Sequence, residues 1–426
     1  MRVFLALYSA LWTLGLPFVY LYLRRRGRKD AAYMAHLGER FGRYNQSLPA
    51  SVWFHAVSLG EMRSAVPLIR ATLEAGERVV VTLFTPAGRR EAERVFAAEI
   101  AAGRLAAVWV PLELNWCFKR FFAAFAPKMG LVMEIEIWPR MVEAARAARV
   151  PLYMCNAQYP VDSMLRDRKF PIRPAVMRRF AGAFVKSELQ KKRFLEQGLH
   201  NVDVTGELRF DQPIPPHHLA AGPLARELLA KGRRVITFAS VTEPEEGLFL
   251  DVIEAALQGG EKPFFVFVPR APERFDAVAA QLAERGIKAL RRSQVLSPEL
   301  AASPETGDVL LGDSLGEMYF YIAMADRVAV GGGFTPKGSH NIIEPLALGK
   351  PVVVGPDIST IEYPAVEAVA AGVCRQIWPE GLGAALTPEG WPDPAPEQIA
   401  AFLAEHSGAT ARTMAAMAPI LGLTSR

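Results

Sequence analysis

The sequence predicts an α/β protein of two doubly wound domains, each a mostly parallel, Rossmann-like sheet with helices on both faces, behind an N-terminal membrane helix. Three observations carry this. The chain has 426 residues, more than one ordinary core accommodates and suited to two domains of roughly 150–200 residues each. Short apolar runs alternate with amphipathic stretches in two separate series, which is the pattern of βαβ units. A proline-rich stretch from Asp211 to His218 parts the two series, as a linker between domains does.

The first element is the apolar segment from Val3 to Leu23, which carries no charge. About 21 apolar residues match the thickness of a hydrocarbon core. Arg24-Arg25-Arg26-Gly27-Arg28-Lys29 follows at once, and cations just past an apolar segment are retained on the cytoplasmic side. A cleaved signal peptide has the reverse order. Pro17 and the aromatic residues also allow a helix lying in the membrane interface, so spanning and lying-in both stand at this point. The expected organisation is an anchor with its basic flank over 1–29, an N-terminal α/β domain over 30–212, and a C-terminal α/β domain over 213–426.

In the first domain, strands are expected at 51–57, 78–84, 105–110 and 129–133, with helices over 61–75 and 88–98 between them. In the second, strands are expected at 234–239, 264–268, 309–311, 327–330 and 351–354. Sheets of this kind bind ligands at the carboxyl ends of their strands, so the loops there are where chemistry is expected, facing a cleft between the domains. Composition is that of a globular protein, 51% hydrophobic and 22% charged with a formal net charge of +5. Cys117, Cys155 and Cys374 are scattered, without a CxxC pair, and read as buried thiols and not as a disulfide framework or zinc site. The cations beyond the anchor are not gathered with aromatics into a stripe, which disfavours nucleic acid as a partner.

Several strand ends carry groups that suit a nucleotide sugar. After the 327–330 strand come Gly331-Gly332-Gly333, where missing side chains let backbone approach a ligand. The next helix start, at Asn341-Ile342-Ile343-Glu344, offers N–H groups to a phosphate and a carboxylate to a ribose diol; a glycine turn with a dipole-matching Glu is the plainer reading. Pro269-Arg270 ends another strand, and an arginine there suits a phosphate or a simple surface turn. Leu315-Gly316-Glu317 follows Gly312-Asp313-Ser314 as either a backbone site or a helix cap. The three-glycine run is neither a Walker loop nor a dinucleotide fingerprint.

Ser58-x-x-Glu61 reads as a capping box, and the same Glu61 could take a proton from an acceptor hydroxyl. Glu134 and Glu136 follow the 129–133 strand and, in extended chain, share one face. Buried glutamates need partners, so at least one is expected to meet a cation or a ligand.

Taken in order, these segments resemble the Kdo (3-deoxy-D-manno-octulosonic acid) transferases of lipopolysaccharide assembly, enzymes of the GT-B fold. The resemblance runs over nearly the whole chain. It rests on Gly38-Glu39-Arg40-Phe41-Gly42, His55-x-Val57-Ser58-x-Gly60-Glu61, Thr85-Pro86-x-Gly88, Glu134-x-Glu136-x-Trp138-Pro139, Asn156-Ala157, Gly206-x-Leu208-x-Phe210-Asp211, Pro269-Arg270, Gly312-Asp313 and His340-Asn341-x-x-Glu344-Pro345. It implies transfer of Kdo from CMP-Kdo to an anionic lipid A precursor, with inversion, at the cytoplasmic face of the inner (plasma) membrane, with no metal ion and no cofactor.

It further implies Glu61 as general base, Glu134 and Arg209 as its catalytic companions, and Pro269, Arg270, Leu315, Gly316, Glu317, Asn341, Ile342, Ile343 and Glu344 as the donor site. The chain departs from the family pattern at Arg209, where lysine is usual and where Glu207 is a candidate partner, at Val241-Thr242, at Ala271, and between Gln158 and Phe170. A divergent relative using another nucleotide sugar or lipid-linked acceptor is one alternative. A non-catalytic membrane scaffold that binds nucleotide sugars is another, and the presence of both Glu61 and Glu134 argues against it.

Overall fold

The computed structural model describes residues 1–423. The chain divides into two compact units: Met1–Gln212 together with the chain from Ser407 on, and Pro213–His406. Each is built on a seven-stranded sheet in which every pairing is parallel.

In the first unit the strands are β1 (Ser51–Ala56), β2 (Arg78–Leu83), β3 (Leu105–Trp109), β4 (Met129–Met133), β5 (Leu152–Ala157), β6 (Gly182–Val185) and β7 (Val202–Val204), ordered β3-β2-β1-β4-β5-β6-β7. All six residues of β1 are buried, because helices cover both faces of a parallel sheet and its central strands become continuous apolar runs. The chain leaves β1 towards β2 and later returns to β4 on the other side. The carboxyl ends of β1 and β4 therefore flank the switch point, where sheets of this class hold ligands.

The second unit repeats the plan with β8 (Val235–Val241), β9 (Phe264–Pro269), β10 (Ala289–Arg291), β11 (Val309–Leu311), β12 (Arg327–Val330), β13 (Val352–Val354) and β14 (Cys374–Gln376), ordered β10-β11-β9-β8-β12-β13-β14. Its switch point lies between β8 and β12. All three cysteines are buried free thiols.

Two expectations need correction. The end of the chain does not stay with the second unit: the helix Ala409–Leu421 packs on the first. Its Ala409, Met417 and Leu421 enter the core that holds Met62, Leu68 and Leu73. The Asp211 carboxylate accepts from Gly408 N at 2.7 Å and Thr410 N at 2.6 Å, tying down the start of that helix. The second correction is at Glu134. The chain does not run on extended past β4 but turns there, with Glu134 at φ 57°, so Glu134 and Glu136 are not two rungs of one strand face.

The N-terminal segment forms a helix, Arg2–Gly27, long and apolar enough to cross a membrane. It is two-faced. Leu5 and Leu23 are buried, and Trp12, Leu16 and Val19 pack on Leu112, Leu114 and Cys117. Val3, Leu7, Leu11, Leu14 and Phe18 on the other side are 61–74% exposed.

Candidate active site

At the first switch point, β1 ends at Ala56 and, after Val57 and Ser58, the helix Leu59–Glu74 begins, capped by Ser58. Ser58 Oγ accepts from Glu61 N at 3.2 Å and donates to Glu61 Oε1 at 3.1 Å, while Val57 N donates to Glu61 Oε2 at 2.7 Å. Only half of the expected capping box forms: Ser58 caps Glu61 N, but the return bond to the Glu61 carboxylate comes from Val57 N and not from Ser58 N, and together they fix the carboxylate at the strand end. Capping and proton transfer use the same geometry. Burial pushes the Glu61 carboxyl up to about 7; the Val57 N–H opposes the rise, and Glu136 and Glu134 add to it. A carboxylate poised near neutral pH is suited to general-base work.

Glu134, past the end of β4, joins a network that reaches into the interior. Lys186 follows β6 and is 5% exposed; its Nζ lies 3.0 Å from Glu134 and 2.9 Å from Glu207. Burial alone would depress the lysine, but Glu134 and Glu207 outweigh it and raise its pKa. Burial likewise opposes ionisation of Glu207, and Lys186 with Arg209 nonetheless holds it below the usual carboxylate range. Asn156 donates to Glu134 at 3.1 Å and to Glu207 at 2.8 Å, and its own oxygen accepts from Leu208 N at 2.9 Å. Arg209 reaches Ser64 with Nε at 2.9 Å and stands 3.9 Å from Glu134. Glu207 accepts from the backbone N–H of Arg209 at 3.2 Å, so the expected pairing of these two neighbours runs at least through the main chain.

Glu61, Glu134 and Arg209, far apart in sequence, are gathered by this topology. Glu136 accepts from Trp138 Nε1 at 2.7 Å and lies close enough to Glu61 for its charge to help raise that carboxyl. Sequence reasoning missed Lys186 altogether and gave Asn156 no role. The available signal was a lysine directly after the apolar run Gly182–Val185, at a strand end like the others.

In the second unit, β9 ends at Pro269, and Arg270 beyond it is exposed, with its N–H donating to Val241 O at 2.8 Å. Arg270 is close enough to His340 to contribute, after burial, to depressing that imidazole to about 4. Leu315 is 73% exposed and Gly316 has φ +82° with open space around it, leaving main chain accessible. The Glu317 side chain is already engaged, by Arg292 at 2.6 Å and Ser314 at 2.5 Å. Ile342 and Ile343 are buried, so only their backbone could meet a ligand. Of that backbone, Ile343 N donates to Asn341 Oδ1 at 3.0 Å. The expected open N–H groups at this helix start are therefore reduced by an internal cap, and the helix Ile343–Ala347 is short, which weakens its dipole. Glu344 stands in the first turn, as expected.

The three glycines are used chiefly for packing. A Cβ on Gly331 would collide with Glu245 and with the main chain at Ser240 and Val241, and one on Gly333 with Ser339 and the 355–357 loop. Gly332 has φ +93° and donates its N–H to Glu245 Oε1 at 2.5 Å. Glu245, which also accepts from Thr242 N at 2.8 Å, was not foreseen. It locks the ends of β8 and β12 together.

Comparison with known proteins bears on both units. The family model described as 3-deoxy-D-manno-octulosonic-acid transferase (kdotransferase) matches residues 35–212. The chain is similar to a 3-deoxy-D-manno-octulosonic acid transferase of Bordetella pertussis, 38% identical over 95% of this chain and 97% of that protein. A protein of the same description from Haemophilus influenzae is 28% identical over 82% of this chain and 81% of its own length. Among solved structures, Anabaena Alr3699/HepE in complex with UDP is 14% identical with a TM-score of 0.56, covering 88% of this chain and 100% of that one. That likeness is one of fold and agrees with the GT-B type.

Proposed function

We propose for this chain, which belongs to the 3-deoxy-D-manno-octulosonic acid (Kdo) transferase family and is a glycosyltransferase of lipopolysaccharide biosynthesis, the transfer of Kdo from CMP-Kdo to an anionic lipid A precursor of the lipid IVA type. Glu61 takes the proton of the acceptor hydroxyl, and the freed oxygen attacks the anomeric carbon of Kdo. The bond to the CMP phosphate oxygen breaks as the new one forms, so the anomeric centre inverts. The observation that carries this is a Glu61 carboxyl held at a switch point by Val57 and Ser58 and pushed up to about 7.

Glu134, paired with Lys186 at 3.0 Å, and Arg209 order charge around the reacting centre. In the second unit Arg270 and the main chain of Leu315-Gly316-Glu317 bind the CMP phosphate and base. Pro269 sets the direction of Arg270, and Asn341 through Glu344 hold the ribose. The reaction uses no metal ion. Mass spectrometry tests the whole reading: purified enzyme with CMP-Kdo and a tetra-acylated lipid A precursor gains Kdo units on the lipid, and Glu61→Gln does not. Loss of product on EDTA treatment, or product from Glu61→Gln at the normal rate, would count against it.

The protein works at the inner membrane, with both units on the cytoplasmic side. The helix Arg2–Gly27 lies in the interface instead of crossing, because one of its faces is docked on the first unit. Near its start Arg140 donates to Ser9 Oγ at 2.5 Å and to Leu5 O, and near its end Arg26 donates to Tyr33 at 3.0 Å. Crossing would carry Arg140 and the buried Glu113 beside it into hydrocarbon, at a cost of several kcal/mol for each charge. Arg24, Arg25, Arg28 and Lys29 then face anionic headgroups. A cysteine placed at Val3 should stay unlabelled by an impermeant maleimide added outside intact inner-membrane vesicles of periplasmic-side-out orientation; labelling there means the helix crosses.

A further inference from the structure

Behind that helix is a cavity of about 310 Å³ within the first unit, for which the fold and the reaction so far give no use. Its outer wall is Tyr8 and Trp12 of the helix; its inner wall includes Phe84, Val110, Leu112 and Trp138. The two charged residues that border it are engaged by the protein. Glu113 accepts from Arg140 N and Met141 N, both at 2.9 Å. Arg40 lies over the Trp109 ring at 4.4 Å and donates to Phe84 O at 3.4 Å. The rest of the lining is chiefly aromatic and aliphatic, as hydrocarbon takes, while Arg40 keeps its buried Nε unpartnered at the edge.

One side chain stands between the cavity and the carboxylate cluster. Trp138 forms part of its wall, packs edge-on against His55 at 5.0 Å, and donates its indole N–H to Glu136 at 2.7 Å. Glu136 in turn is one of the charges felt by Glu61. The other wall is the helix whose outer face is the apolar stripe Val3, Leu7, Leu11, Leu14 and Phe18. The cavity thus lies between the apolar stripe and the carboxylate end of the first sheet.

We propose that the cavity between the N-terminal helix and the strand ends β3 and β4 is an acyl-chain site, which takes one chain of the lipid acceptor from the leaflet. This rests on the reading of the acceptor as a lipid, and it adds where the chain goes and how the sugar end is presented. Trp12 and Trp138 clasp the chain from opposite sides, so a change at either alters which chain lengths are accepted.

Photo-crosslinking in nanodiscs of anionic phospholipid tests it without depending on turnover. The probe is a lipid A precursor carrying a diazirine near the middle of one acyl chain, and adducts are mapped by peptide mass spectrometry. The expected adducts fall on 110–113 and on Trp138. They are lost at least fivefold in Val110→Phe, which fills the cavity, while adducts on the outer stripe persist and report that the variant is folded. Glu61→Gln keeps the wild-type adducts, so failure of the proposed base and failure of the acyl site are told apart. Adducts confined to Val3, Leu7, Leu11 and Leu14 would overturn the site. So would labelling of the cavity by a diazirine phospholipid that excess unlabelled precursor does not displace, since the occupant would then be bulk lipid.

Discussion

The carboxyl ends of the two sheets are topological twins, yet they spend their polar groups in opposite ways. In the first unit, side chains converge: Glu61, Glu134, Lys186, Glu207 and Arg209 form one cluster around Asn156. In the second, the side chains at the strand ends are turned inward. Glu245 holds the glycine turn, Asp313 holds Arg291 and Ser293, and Glu317 holds Arg292. What the second unit leaves open is main chain and exposed cations, Arg270 after β9 and Lys337 in the loop after β12. Chemistry that needs a proton acceptor belongs with the first arrangement. Recognition of a phosphate and a base, which main chain can supply, belongs with the second.

Substitutions should separate the two accordingly. The largest effect is expected from Glu61→Gln, which keeps the shape of the cap and removes the base: kcat should fall by about 10²–10⁴ with little change in donor binding, read by steady-state transfer assays. Next is Lys186→Met, which leaves Glu134 and Glu207 without their shared cation in a buried place. Urea unfolding should show a loss of about 3–5 kcal/mol, and a loss under 1 kcal/mol would mean that the network is not buried as described.

In the second unit, Gly331→Ala should cost about 1–3 kcal/mol by overpacking against Glu245 and the main chain at Ser240 and Val241, and should raise the KM for donor through the displaced turn. Arg270→Ala is the mildest. Losing one charge-assisted contact should raise the donor KM about tenfold with kcat nearly unchanged. If Arg270→Ala instead depressed kcat as Glu61→Gln does, the division of labour between the two sheets would be wrong.

The strands that the sequence made legible are those with long buried runs. β4, β11 and β12 fall where expected to the residue, and β1, β2, β3, β9 and β13 to within one; β8 lies within one at its start but runs on to Val241. Not expected were the edge strands β7, β10 and β14, whose few residues include charged or amide side chains that carry no periodic signal, and also the interior strands β5, Leu152–Ala157, and β6, Gly182–Val185. Glu61 was readable because a capping-box pattern and a strand end coincide. Lys186 was not, since its importance depends on β6 lying beside β5 and on two glutamates brought from other loops. The last helix was assigned to the wrong unit for a similar reason: its apolar face is plain in the sequence, but nothing local says which core will receive it.

The proposal about Glu61 makes one demand that can be met or missed in a single experiment. A base works as the carboxylate, so its contribution is present above its pKa and fades as pH falls through it. The kcat/KM for acceptor, measured from pH 5.5 to 8.5 with acceptor subsaturating, should rise through a midpoint near 7, where burial sets the free carboxyl, and the slow residual rate of Glu61→Gln should show no such limb. A wild-type rate flat across that range, or the same limb persisting in Glu61→Gln, would contradict the assignment and send the search for the base elsewhere in the cluster.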